Sequence, residues 1–207
     1  MRFTDRAQAG EVMAEALKSF VSQECVVYAI PRGGVILGEA VARKLNCPLD
    51  LVITRKVGHP NNAEYAVCVV AEDGHEVCDE AEVVGIDKDW LERRKVEERG
   101  EARRQRLAYL KGRVRPSVTG KTAIVVDDGV ATGMSLIAAL REARELKPSR
   151  LIAAVPVMPA EFLNRLKQEC DEVVCPNIDH AYLGSVGAYY ESFPQVTDEE
   201  VKKALTG

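Results

Sequence analysis

Aromatic side chains are scarce in this chain, with a single Trp, four Phe and six Tyr among 207 residues. That removes the row of stacking rings on which single-stranded nucleic acid is usually laid. A formal net charge of −4 supplies no global field for a polyanion or an anionic membrane surface. No stretch approaches the roughly 18 consecutive apolar residues of a membrane span, and the first residues do not read as a charged-then-apolar leader, so a cytoplasmic protein is expected. Histidine occurs only as His59, His75 and His180, and none of the six cysteines lies in a CxxC pair. Cys25, Cys47, Cys68, Cys78, Cys170 and Cys175 are mostly flanked by apolar residues, so buried free thiols are expected and no zinc site. Two phosphate-binding signatures are missing as well. There is no GxxxxGK followed by Ser or Thr, and "PRGGVILG" lacks the GxGxxG spacing.

What is present is an alternation of apolar strands and amphipathic helices. Thr4 is placed to cap a helix running to about Ser22, with Met13, Ala16, Leu17 and Phe20 on one face. "CVVYAI" (25–30) reads as a buried strand, residues 33–45 as a helix and 49–56 as the next strand. Asp73-Gly74 lies between two β-rich runs and predicts a hairpin. Residues 87–111 read as a helix, 121–127 as a strand, and 135–147 as a helix stopped by Pro148. "RLIAAVPV" predicts another strand, "AEFLNRLKQEC" a helix and "DEVVC" a last short strand. Strands apolar on both faces and separated by helices imply a mostly parallel central sheet flanked by helices, an α/β fold. No repeat or low-complexity linker interrupts it, so residues 1–207 are expected to form a single domain.

The stretch "IVVDDGVATGMS" (124–135) stands out because a buried strand runs into two adjacent carboxylates, Asp127 and Asp128. Ligands of parallel α/β sheets bind beyond the carboxyl ends of the strands. The glycine-rich turn that follows leads into a helix N-terminus, where free N–H groups and the helix dipole favour a phosphate. One strand end thus offers acceptors for sugar hydroxyls and donors for a phosphate, which together suit a sugar phosphate.

In its order of apolar run, two acids and a loop ending Thr-Gly-x-Ser, the stretch resembles the phosphoribosyl diphosphate (PRPP) signature of the type I phosphoribosyltransferases. The order of strands and helices from about 24 to 176 is similar to that family's core. The resemblance implies that Asp127 and Asp128 hold the ribose hydroxyls as catalytic acids near a Mg²⁺ cofactor. Gly129, Val130, Ala131, Thr132, Gly133, Met134 and Ser135 would take the 5′-phosphate. In "AIPRGG", Arg32, Gly33 and Gly34 would grip pyrophosphate, with Arg55 and Lys56 adding positive charge. The implied activity is transfer of a phosphoribosyl group from PRPP to a nitrogenous base or related small-molecule acceptor, with release of pyrophosphate. A non-catalytic sensor of PRPP or a nucleotide is the alternative, although no winged-helix domain fits within these residues. A homo-oligomer is compatible with the resemblance, whereas membrane and nucleic-acid partners are not expected.

Residues about 57–118 occupy the place where the family carries a mobile loop. They hold the predicted hairpin and a charged run, 87–106, with eight Lys or Arg and six Asp or Glu. A solvated helix face is expected there, with Asp89 and Arg93 as an i,i+4 pair. Residues about 176–197 are the candidate hood over the acceptor. Packing is the commoner role of its Tyr182, Tyr189, Tyr190 and Phe193, and Tyr182 alone is put forward as an acceptor contact. Ala131 stands where 6-oxopurine members typically carry an aspartate, which resembles the adenine-using members at that one position. Orotate and uracil members stay open.

Overall fold

The computed structural model describes residues 1–21 and 23–206. Its centre is a five-stranded, all-parallel sheet in the order β2 (Leu49–Leu51), β1 (Cys25–Ala29), β6 (Thr122–Val126), β7 (Arg150–Ala154), β9 (Glu172–Val174). β1 and β6 are buried along their whole length, which their apolar sequences require of strands covered on both faces. On one face lie α1 (Arg6–Ala16) and α2 (Gly33–Leu45), with Met13, Leu37 and Val41 packed against Val27 and Ile124. On the other, α4 (Met134–Glu145) packs Leu136, Ile137 and Leu140 against Val125 and Ala153, beside the short α5 (Leu163–Glu169). The terminal helix α6 (Asp198–Ala204) joins α3 (Lys88–Leu110) in a third cluster around Ile53 and Leu51.

The α/β architecture agrees with the expectation, but several elements differ in detail. The cap of α1 is Asp5 rather than Thr4, its carboxylate accepting from the Gln8 N–H at 2.8 Å. The stretch 49–56 is not one strand. After β2 the chain leaves the main sheet, and β3 (Thr54–His59) pairs antiparallel with β4 (Asn62–Ala71), which pairs with β5 (Glu76–Cys78). The turn at Asp73-Gly74 joins β4 to β5 as expected. "RLIAAVPV" also divides, because Pro156 has no N–H with which to continue a ladder. Beyond it β8 (Val157–Pro159) forms a separate two-stranded parallel sheet with β10 (Asn177–Asp179).

Cys68 and Cys78 are not free thiols but a disulfide. They are directly opposed in the β4–β5 register, with Cα atoms 4.0 Å apart. Their ten-residue separation acquires meaning only once the hairpin register is set. Cys25, Cys47, Cys170 and Cys175 are free.

The charged helix α3 is not simply a solvated face. Asp89 and Arg93 do not pair. Lys95 and Glu98 are buried, Lys95 between Glu76 and Glu92, and Glu98 accepting from Arg94 and Arg55. Arg106 donates to both carboxylate oxygens of buried Asp50 at 3.0 Å and to the Leu51 carbonyl at 2.7 Å. Beside it, Arg115 bridges Glu72 and Glu142. Three buried carboxylates therefore face two guanidiniums. Burial first, and then the neighbouring Glu72 charge, pushes Glu142 up to about 8.

Because this raised pKa means that the folded state retains a proton the unfolded chain has lost, stability falls as pH rises from the ordinary carboxylate range through about 8. Glu142→Gln keeps the Arg115 acceptor and removes the excess charge. Its Tm relative to wild type should rise by a few degrees between pH 5 and pH 8.5, roughly what 1 kcal/mol is worth at this size. A Tm difference that is constant with pH would refute the assignment.

Candidate active site

The site is built at the carboxyl end of β6, the middle strand of the sheet. Asp127 and Asp128 follow Val126 directly, and the Asp127 N–H still donates to the Ala154 carbonyl at 3.3 Å. The Asp128 N–H then turns back onto Asp127 Oδ1 at 2.9 Å. Burial pushes the Asp127 carboxyl well above its usual range, and the adjacent Asp128 charge pushes it further. Burial raises Asp128 as well, but Arg6 opposes the shift through an ion pair at 2.7 Å. The raised direction identifies Asp127 as a carboxylate short of positive charge in this arrangement.

Beyond the acids the chain passes through Gly129 and reaches Gly133 in the left-handed region, at φ 72°. Gly133 is the N-cap of α4, and without a side chain it leaves the first-turn N–H groups uncapped. Thr132 and Ser135 flank that turn. The opposite wall comes from the start of α2, with Arg32 and Gly33, and from β3, with Thr54, Arg55 and Lys56. The Pro31–Arg32 peptide is cis. Together these residues line one open cleft of about 450 Å³, which Ile30, Leu136 and Val186 complete.

Most of the ligand residues anticipated from the sequence therefore meet in one place. Gly34 and Met134 do not line the cleft. Met134 is buried in the core under α4. Gly34 faces β6, where an added Cβ would lie 2.7 Å from the Val126 carbonyl oxygen and 3.0 Å from Asp127 Cα. Its role is close approach of helix to strand. Gly33 meets the Asp128 carboxylate instead, 1.9 Å from where a Cβ would stand. Among the basic residues, Arg55 is held by Glu98 at 3.0 Å and Arg32 lies 3.7 Å from Asp198. Lys56 has no ion-pair partner among the described residues, and its charge is felt by both acids.

Tyr182 does not line this cleft. Its ring stacks on Tyr189, with centroids 5.4 Å apart, and it borders a separate depression with Asp179 and His180. The candidate hood reaches the cleft through Val186, whose methyl groups lie over Gly129. Both ends of the chain build this cover, since Phe3 pairs with Tyr189 and Glu191 through its backbone. Sequence reading missed Thr54, Val186 and Arg6. Arg6 is 122 positions from its partner Asp128, and nothing local marks it.

A family model described as a phosphoribosyl transferase domain matches residues 5–191. The chain belongs to this phosphoribosyl transferase family. Proteins from two strains of Mycobacterium tuberculosis, provisionally named phosphoribosyl transferases, are each 36% identical to it over 201 residues. The match covers 96% of this chain and 45% of theirs, so the chain spans less than half the length of these curated relatives. A crystal structure from Thermus thermophilus is 41% identical and superposes with a TM-score of 0.79, covering 99% of this chain and 98% of that one. A protein of known structure from Aquifex aeolicus, 16% identical with a TM-score of 0.50 over 84% of this chain and 74% of that chain, shares the fold.

The two loop glycines give separable expectations within this phosphoribosyl transferase fold. Gly34→Ala places a methyl group against backbone that cannot yield and should cost about 1–3 kcal/mol. Gly33→Ala meets side-chain atoms of the Asp128–Arg6 pair rather than backbone, and side chains can shift where backbone cannot, so its loss in thermal melting should be smaller. Equal or reversed losses would mean that α2 does not approach β6 as closely as described.

Proposed function

We propose that this phosphoribosyl transferase domain catalyses transfer of the phosphoribosyl group of PRPP to a nitrogenous base or related acceptor, with release of pyrophosphate. One observation carries this reading. Two adjacent carboxylates, an uncapped helix N-terminus and a wall bearing Arg32, Arg55 and Lys56 converge on a single cleft. A sugar carrying a phosphate at one end and a pyrophosphate at the other needs that combination. The first turn of α4, with Thr132 and Ser135, holds the 5′-phosphate by N–H and hydroxyl donors. Asp127 and Asp128 accept hydrogen bonds from the ribose hydroxyls, and Arg32, Gly33, Arg55 and Lys56 receive the pyrophosphate.

In the reaction the acceptor nitrogen forms a bond to the anomeric carbon. The bond from that carbon to pyrophosphate oxygen breaks, and pyrophosphate departs with the electron pair. The acceptor nitrogen gives up its proton. Positive charge develops on the sugar ring beside the two carboxylates, while negative charge develops beside Arg32 and Lys56, and each is stabilised by groups already in place. No covalent intermediate with the protein is required.

The donor set also fits Mg²⁺. Two hard carboxylates, one short of positive charge, suit an ion that usually takes one or two protein carboxylates and completes its shell with water and substrate oxygens. When bound, Mg²⁺ would neutralise the leaving pyrophosphate. A cytoplasmic setting is part of the same proposal.

Pyrophosphate release measured with PRPP, Mg²⁺ and a panel of bases tests the activity. Asp127→Asn keeps the acceptor for the Asp128 N–H and removes a charge that burial disfavours. Turnover should fall by on the order of tenfold to a thousandfold, while Tm should hold or rise. Full turnover in this variant would remove Asp127 from the mechanism.

The acceptor prediction rests on Ala131, which lines the cleft where 6-oxopurine members typically carry an acid for the base proton. A general acid–base group contributes on the order of a hundredfold to ten thousandfold. Adenine or a non-purine acceptor should therefore exceed hypoxanthine in kcat/KM. Parity, or a preference for hypoxanthine, would show that Ala131 does not decide the acceptor.

A further inference from the structure

Asp128 is not a free carboxylate at the cleft floor. Arg6, the first residue of α1, donates from Nε to Asp128 Oδ2 at 2.7 Å, and the pair is largely buried, with side-chain exposures of 11% and 16%. Another guanidinium nitrogen is committed as well. Nη1 donates to the Pro194 carbonyl at 2.6 Å, and the guanidinium plane lies 3.6 Å from the centre of the Phe193 ring. The Tyr190 hydroxyl donates to the Asp128 backbone carbonyl at 2.6 Å, and Tyr190 packs on Phe193 with ring centroids 4.7 Å apart. Gly33 closes the Oδ2 side, where an added Cβ would stand 1.9 Å from Asp128 Oδ2 and 2.9 Å from Arg6 Nε. Asp128 is thus held by side chain and backbone at once, from the N-terminal helix α1 and from residues 190–194.

From this geometry we propose that Arg6 is a positioning residue that acts through Asp128. It occupies Oδ2 and leaves Oδ1 as the oxygen presented to a ribose hydroxyl, and it ties the orientation of that acid to the 190–194 segment. The proposal rests on the phosphoribosyl reading of the site and adds a residue to it. Arg6 itself is not among the residues that line the cleft. Planar Nε and Nη donors 2.7 and 2.6 Å from two separate acceptors, with an aromatic face against the plane, are a use of arginine that lysine reproduces only in part.

A double-mutant cycle read by calorimetry with ribose 5-phosphate tests this, using Arg6→Gln, Asp128→Asn and the two together, with inorganic pyrophosphate as a second probe. Arg6→Gln should weaken ribose 5-phosphate binding about tenfold, the worth of one charge-assisted hydrogen bond, and leave pyrophosphate binding unchanged. In the Asp128→Asn background the same substitution should have almost no further effect, because the residue through which Arg6 works is already altered. Arg6→Lys should recover part of the affinity, and it carries the comparison if Arg6→Gln does not fold. Additive losses in the cycle, or equal losses for both probes, would make Arg6 a structural residue or a direct ligand contact and overturn the proposal. A gain in affinity for Arg6→Gln would overturn it too, since Arg6 would then compete with the ligand for Asp128. Failure of the wild-type protein to bind ribose 5-phosphate would instead refute the phosphoribosyl reading on which the proposal stands.

Discussion

Two like charges placed side by side at the end of a buried strand are the constraint around which the rest of this molecule is arranged. β6 is buried along its length, so Asp127 and Asp128 leave a dry core side by side and enter the cleft only partly exposed. Two neighbouring elements bring positive charge to that point. α1 supplies Arg6 and β3 supplies Lys56 against the charge itself, while the Ala154 carbonyl of β7 and the Tyr190 hydroxyl satisfy the backbone of Asp127 and Asp128. Glycines 33 and 34 let α2 come close enough to wall the acids on one side. Compensation stays incomplete, because Asp127 is still raised by burial and by Asp128. A site that leaves charge unsatisfied in the free protein is prepared to receive a partner that satisfies it, and the stability forgone there is returned as binding.

How much of this was legible in the sequence depends on how local each feature is. The acids, the glycine turn and the helix start form one contiguous string, and their geometry follows from strand, turn and N-terminus without reference to the rest of the chain. The hairpin at Asp73-Gly74 was legible for the same reason. The breaks at Val52–Ile53 and at Pro156 were not equally readable. Pro156 carried a usable signal, the absent N–H, whereas "LVI" is uniformly apolar across the point at which the chain changes sheets. The Cys68–Cys78 bond depends on hairpin register, which spacing alone does not reveal. Arg6 and Asp128 are joined only by the tertiary fold, and no periodicity brings two residues so far apart together.

The charged helix α3 shows the same limit from the other side. Its composition suggested a solvated face, and for residues such as Arg104 and Glu101 that description holds. The exceptions fall where α3 meets the sheet. Arg106 is committed to Asp50 at the end of the main sheet, and Arg115, just beyond the helix, to Glu72 at the end of β4 and Glu142 on α4. These three acids come from the main sheet, from the antiparallel sheet and from the helix whose first turn faces the cleft. Buried ion pairs contribute little net stability because desolvation offsets their attraction, yet removing one partner is costly. Such a network therefore acts mainly by penalising any other seating of α3 and the antiparallel sheet.

That penalty bears on the site through β3. Arg55 and Lys56 reach the cleft only because the chain, on leaving β2 after Leu51, is carried across the strand end into the antiparallel sheet. Asp50 lies one residue before that exit and Glu72 one residue after β4, the strand that β3 pairs with. Pinning both to Arg106 and Arg115 fixes the two ends of this excursion. The basic wall is then held at a set distance from Asp127 and Asp128 without a direct contact between them. Opposite charges kept apart in this way remain available to a ligand that is cationic in its reacting ring and anionic at its leaving group, whereas a direct Lys56–Asp127 ion pair would have consumed both.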